Sequence, residues 1–150
     1  MKDETADESF QRWVFDNVRY ADTDRQGHVN NAIFATFCET GRVELIYSSE
    51  AGLILPGTEF VIARLEIDYL AELGWPGQIA IGTTVASVGR SSLTLSQALF
   101  QNGKCAARAK SVIVLIDQRL RRSAALPPGA RDRLLALPSV PMSDPASGIR

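Results

Sequence analysis

The spacing of apolar positions changes period along this chain, and each change marks an element. Residues 11–20 carry apolar anchors at Trp13, Phe15 and Val18 and read as a first strand. A polar turn follows, Tyr20-Ala21-Asp22-Thr23-Asp24-Arg25-Gln26-Gly27-His28-Val29-Asn30-Asn31. The spacing then turns helical and predicts one long helix over residues 30–50. Phe34, Phe37, Cys38, Gly41 and Leu45 share one face of it and read as core. Asn31, Ala35, Glu39 and Arg42 fall on another flank, placed to face a site or a second subunit. Gly41 weakens the helix but lets a strand approach closely.

Beyond the breakers Gly52, Pro56 and Gly57 the period becomes two. Over residues 60–70, Val61, Ala63, Leu65, Ile67 and Tyr69 share a face, and Arg64, Glu66 and Asp68 the other. The apolar face is expected to pack on the helix; the polar face is left for water, a ligand or a second subunit. Gly74-Trp75-Pro76-Gly77 and Gly89-Arg90-Ser91 are turns around a third strand at residues 78–88. Residues 93–100 form a fourth strand, and Asn102-Gly103 predicts a type I′ hairpin into a fifth at residues 104–117. The apolar run 112–116 in that strand suits a central position in a sheet. Tight turns make these strands antiparallel, and one helix covers one face: an α+β arrangement. Pro127-Pro128 opens a short helix to about residue 137. Residues 138–150, rich in Pro, Ser and Gly, are predicted to be disordered, and the acidic residues before Phe10 to be frayed. One domain over residues 1–137 is the result, without internal repeats.

Composition narrows the function classes. A chain of 150 residues buries a proper single core. A formal net charge of -1 argues against a nucleic-acid binder, which carries a basic surplus. No apolar run reaches bilayer length, and Met1-Lys2-Asp3-Glu4 is not a signal peptide, so no membrane role is expected. Cys38 and Cys105 lack metal-ligand spacing, which leaves a reduced, cytoplasmic, metal-free protein as the expectation.

The candidate chemistry lies in the polar turn. Two carboxylates, the single histidine and two asparagines gather where a helix starts, beside free N–H groups and the positive end of the dipole. A carboxylate there can attack a carbonyl, or activate water to do so, while the N–H groups hold the oxygen. Capping by itself accounts for Asp and Asn at a helix start, and on spacing alone it is the stronger reading.

Asp22-Thr23-Asp24, Gly27-His28-Val29-Asn30-Asn31, Glu39 and Arg42 together resemble the signature of the hotdog-fold acyl-CoA thioesterases, in the branch of 4-hydroxybenzoyl-CoA thioesterase. The resemblance spans roughly residues 12–137. It implies a curled antiparallel sheet of about five strands around one long helix, an acyl-CoA substrate, and no cofactor beyond the coenzyme A of that substrate. It also implies a site formed between subunits, hence a homodimer or homotetramer. The family's catalytic aspartate falls on Asp24, and its carbonyl-polarising N–H on Asn31. Relatives of the type enzyme carry an aromatic residue or His at the position of Asn31. His28 to Asn31 instead resembles the motif of plant acyl-carrier-protein thioesterases, which leaves the acyl group open.

Other residues carry two readings each. His28 either serves as a general acid or orients the attacking water, or else is a turn histidine bonded to backbone; no orienting partner is visible in sequence, which favours the turn role. Glu39 is a second candidate acid, or pairs with Arg42 along the helix, the favoured role. Cys38 with His28 could suggest a cysteine nucleophile, but Cys38 lies on the core stripe, where free thiols are usually inert, the favoured reading. Arg119, Arg121 and Arg122 are either a solvated strand exit or a cradle for carrier phosphates. With Gly27, Asn30 and Glu39 they complete the substrate-binding candidates. A non-catalytic acyl-CoA or acyl-carrier binding protein and an acyl-carrier-protein thioesterase remain the rival functions.

Overall fold

The computed structural model describes residues 8–143. In chain order it runs β1 (Ser9–Phe10), β2 (Arg12–Asn17), α1 (Asn31–Ile46), β3 (Thr58–Tyr69), β4 (Gln78–Val88), β5 (Ser92–Gln101), β6 (Lys104–Asp117), β7 (Arg122–Ser123), α2 (Ala130–Leu135) and β8 (Val140–Pro141). The main sheet is antiparallel, in the order β2-β4-β5-β6-β3, with β7 added to β6. It curls around α1, as a hotdog fold does. Asn102 and Gly103 both have positive φ, as a type I′ turn requires, and join β5 to β6. Among the described residues no helix is long and apolar enough to cross a membrane.

The apolar stripe of α1 is buried as expected. Phe34, Phe37 and Cys38 pack on Ile79, Ile81, Leu99 and Ala107, and Leu45 and Ile46 pack on Val85, Leu93, Leu95 and Ile113. Gly41 lies between these two clusters, over a polar patch of the sheet. There Gln97 Nε2 donates to Cys38 O and to Thr83 Oγ1, each at 2.9 Å. A Cβ on Gly41 would lie 2.6 Å from Ile81 Cγ2 and 2.7 Å from Gln97 Nε2. Glycine is therefore what lets the helix seat this closely.

Four expectations need correction. Helix α1 ends at Ile46 rather than near residue 50. Ser48 Oγ donates to Leu45 O at 2.7 Å and accepts from Ala51 N, so a side chain takes over the backbone groups that would extend the helix. The first strand stops at Asn17, and Tyr20–Asp22 is a 3-10 turn. Strand β3 does not keep one face inward, because its register against β6 shifts between Ile62 and Arg64. That β-bulge turns Phe60 inward on one side and Leu65 and Ile67 on the other, leaving Val61, Ile62 and Ala63 exposed. The tail is not structureless from residue 138, since Val140 and Pro141 pair with Phe10 and Ser9, and Trp13 Nε1 donates to Val140 O at 2.8 Å. Residues 144–150 and 1–7 lie outside the described residues.

Candidate active site

The polar turn is a small hairpin built by side-chain-to-backbone bonds. Arg19 donates from its backbone N, its Nε and its Nη2 to the carboxylate of Asp22, and Asn30 N donates to Asp22 O at 2.8 Å. Asp22 is thereby buried, and the Arg19 hydrogen bond holds its carboxyl below the usual range. Two residues on, Asp24 stays exposed. Its Oδ1 accepts from Gln26 N at 2.8 Å and from His28 N at 3.2 Å, while Asp24 N donates to His28 O at 2.7 Å. Gly27 takes φ +81°, a backbone state that suits glycine, and closes this loop. Thr23 bridges Val29 across the hairpin.

The hairpin is pinned to the connection between β3 and β4. His28 bridges Gly74, and Val29 N donates to Leu73 O at 2.8 Å. Asn30 caps α1, its Oδ1 accepting from Ala32 N at 2.9 Å. The capping reading is thus correct for Asn30. Asn31 is the first helical residue, so its N–H has no carbonyl partner within the helix.

A cavity of about 610 Å³ opens at this point. It is lined by Asp24, Gln26, His28, Val29, Asn30 and Asn31, by Phe34 of α1, and by residues 69–72 at the end of β3 and just after it. Tyr69 spans it, donating from its hydroxyl to Asn31 O at 3.1 Å, with its ring 5.0 Å from that of Phe34. A carboxylate, an open helix start and an aromatic wall thus share one cleft, which suits a polar reaction on a carbonyl next to an apolar group.

Of the residues singled out from sequence, Asp24, His28, Asn30 and Asn31 meet in the cavity, and Gly27 shapes the turn beneath them. Glu39 does not line it. It is two helical turns further on, roughly 12 Å along the axis at 1.5 Å per residue. The expected Glu39–Arg42 pair is absent among the described residues. Arg42 turns into the protein with its Nη1 unpartnered, and burial pushes its guanidinium below the ordinary range, while Glu39 faces solvent. Arg119, Arg121 and Arg122 follow the end of β6, which pairs with the start of β3; Tyr69 is the other end of that 12-residue strand. At roughly 3.3 Å per residue the strand is at most about 36 Å long, and the basic turn and the cavity lie at its opposite ends, so within one chain they are remote from each other. Arg121 Nη1 is bound to Glu59 Oε1 at 2.8 Å.

Two contributors escaped the sequence reading, Tyr69 and Glu72. Glu72 Oε2 lies 3.0 Å from His28 Nε2, so His28 has a carboxylate partner after all. Nothing in the local sequence joins residues so far apart; the pairing of His28 with Gly74 and the bond from Val29 N to Leu73 O do.

Residues 18–134 match the thioesterase-like superfamily, and the chain belongs to that family. It is 27% identical over 120 residues to the acyl-CoA thioester hydrolase YbgC of Escherichia coli, covering 77% of this chain and 89% of that protein. A thioesterase from Thermus thermophilus, solved with coenzyme A and zinc, superposes with a TM-score of 0.73 at 35% identity, covering 87% of this chain and 96% of that one. A protein from Pseudomonas aeruginosa PAO1 superposes with a TM-score of 0.75 at 30% identity, covering 87% and 94%.

Proposed function

We propose that this thioester hydrolase cleaves acyl-CoA thioesters to the free acid and coenzyme A, with Asp24 as nucleophile or general base. The observation that carries the reading is that Asp24 and the first N–H of α1 open onto one cavity. The thioester oxygen is drawn to the N–H of Asn31 at the positive end of the helix dipole. As nucleophile, Asp24 bonds to the carbonyl carbon, the C–S bond breaks, and the sulfur keeps the electron pair; water then opens the anhydride. As base, Asp24 takes a proton from the water that attacks instead. Both routes need no cofactor besides the coenzyme A carried by the substrate. Asp22, held in three bonds by Arg19, is the poorer candidate.

The working unit in this proposal is a symmetric homodimer, alone or within a homotetramer. Among the described residues β3 pairs only with β6, and its outer edge exposes Val61 and Ile62. An unpaired edge of this length invites a strand from a second copy. Antiparallel pairing of β3 with its own copy about a twofold axis sets the start of one strand beside the end of the other. The partner subunit's Arg119 and the partner subunit's Arg122 then approach this cavity, where they meet the phosphates of coenzyme A.

The test is a panel of acyl-CoAs with a thiol-detecting dye, run on wild type and Asp24→Asn. Turnover that Asp24→Asn abolishes supports the reading. Tight acyl-CoA binding without turnover in the wild type identifies a binding protein instead. Turnover confined to acyl-carrier-protein thioesters reassigns the carrier.

A further inference from the structure

We infer that Glu72 is a positioning residue, holding His28 as the proton donor to the departing sulfur; this rests on the thioesterase reading above. The two side chains meet at 3.0 Å, Nε2 to Oε2, and both line the cavity that holds Asp24 and Asn31. The backbone creates the meeting. His28 bridges Gly74, and Val29 N donates to Leu73 O at 2.8 Å, which sets residue 72 beside residue 28. His28 N also lies 3.2 Å from Asp24 Oδ1. One carboxylate therefore holds the backbone of residue 28, and the other meets the far nitrogen of its ring.

That arrangement selects a tautomer. A carboxylate accepts only, so Nε2 carries the proton in this bond, and Nδ1 is the ring nitrogen left to exchange one with the reacting groups. When the C–S bond breaks, sulfur takes the electron pair, and the proton on Nδ1 of the charged ring goes to sulfur. Water supplies the hydroxyl to the acyl carbon, and its proton, passed through Asp24, restores His28. The sum is thioester plus water to acid plus thiol. Asp24 acts on the carbon side of the bond and His28 on the sulfur side.

The pair is partly exposed, at 39% for His28 and 71% for Glu72, so it adds little to the stability of the fold. Catalysis is where its loss is read. Glu72→Ala, Glu72→Gln, His28→Ala and the double variant Glu72→Ala/His28→Ala are assayed on two thioesters of one acyl group. One releases coenzyme A, an alkyl thiol; the other releases a nitrothiophenol, whose thiolate departs without a proton. Glu72→Ala should lower kcat on the coenzyme A ester by about tenfold, a part of the roughly 10²–10⁴-fold that a placed proton donor supplies, since His28 itself remains. KM and melting temperature should hardly change, and the aryl thioester should be cleaved at close to the wild-type rate. Glu72→Gln, which keeps an acceptor, should fall between. The double variant should be no slower than His28→Ala alone, because the two residues act as one unit. Equal losses on both esters, additive losses, or full activity in Glu72→Ala overturn the inference and leave the thioesterase reading standing. A wild-type protein inactive on every thioester defeats that reading, and this inference with it.

Discussion

Asp22 and Asp24 stand two residues apart in one turn and have opposite surroundings. Asp22 is buried under three bonds from Arg19, whereas Asp24 is exposed at the cavity, its Oδ1 accepting from two backbone N–H groups. Asp24→Asn preserves size and removes charge. It should lower kcat by about 10²-fold or more with little change in KM, as expected when only the transition state loses an interaction. Asp22→Asn should keep most activity and lose roughly 1.5–3 kcal/mol of stability, the range for hydrogen bonds to a charged group. Steady-state kinetics and urea unfolding of the two variants check this; an inactive Asp22→Asn beside an active Asp24→Asn reverses the assignment, and two active variants turn attention to Glu39.

The same bonds set a pH dependence. The Arg19 hydrogen bond lowers the Asp22 carboxyl in the folded chain, so the unfolded chain binds its proton first as pH falls. The stabilisation is present above the unfolded value, near 3.8, and is lost as pH drops through the folded one. Unfolding midpoints measured downward from neutral pH should decline less steeply in Asp22→Asn than in wild type. Parallel curves would show that other carboxylates govern acid stability.

Strand β3 is the proposed subunit contact. Ile62→Lys places a charge on its exposed edge and should yield monomers by light scattering, with activity lost. Charge neutralisation of Arg119 and Arg122 should raise KM for an acyl-CoA and spare a truncated pantetheine thioester. Mixed dimers of an Asp24→Asn subunit and an arginine-neutralised subunit should recover part of the activity, because both defects then fall on the same site. A wild type that is monomeric at micromolar concentration and fully active refutes this arrangement.

Gly41 tests the seat of the helix. Alanine gains about 1 kcal/mol of helix propensity over glycine. Its Cβ at 2.6–2.8 Å from Ile81, Gln97 and Thr83 forces displacement in a packed core, at a cost of about 1–3 kcal/mol. Gly41→Ala should therefore be neutral to destabilising, and Gly41→Leu clearly destabilising, in denaturant titrations. An unchanged midpoint for Gly41→Leu would contradict the packing described.

Cys38 should be chemically silent. Burial pushes its thiol up to about 11 from an ordinary value of 9.0. Alkylation of the native protein at neutral pH should be far slower than after unfolding, and Cys38→Ala should retain kcat. Since the unfolded thiol ionises first, this group's contribution to stability is complete below pH 9 and declines as pH rises toward 11. Rapid native alkylation at Cys38, with loss of activity, would reopen the question of a thiol nucleophile.

Local information in the sequence determined the elements and the class of fold. The period of apolar positions placed the core face of α1, and Asn102-Gly103 placed its hairpin, because helix phase and turn conformation depend on near neighbours. The motif from Asp22 to Asn31 likewise pointed to the helix start and to Asp24, since the turn and the cap are bonded within a few residues. Tertiary structure decided what depends on distant contacts. Strand register put an unpaired residue into β3 and reversed its inward face. Burial drew Arg42 away from Glu39, so an ion pair plausible on an isolated helix did not form. Sheet length separated the arginines of residues 119–122 from the cavity of their own chain. The bridge from His28 to Gly74 supplied Glu72, a partner that residue 28 meets only because the connection after β3 folds back onto the hairpin before α1.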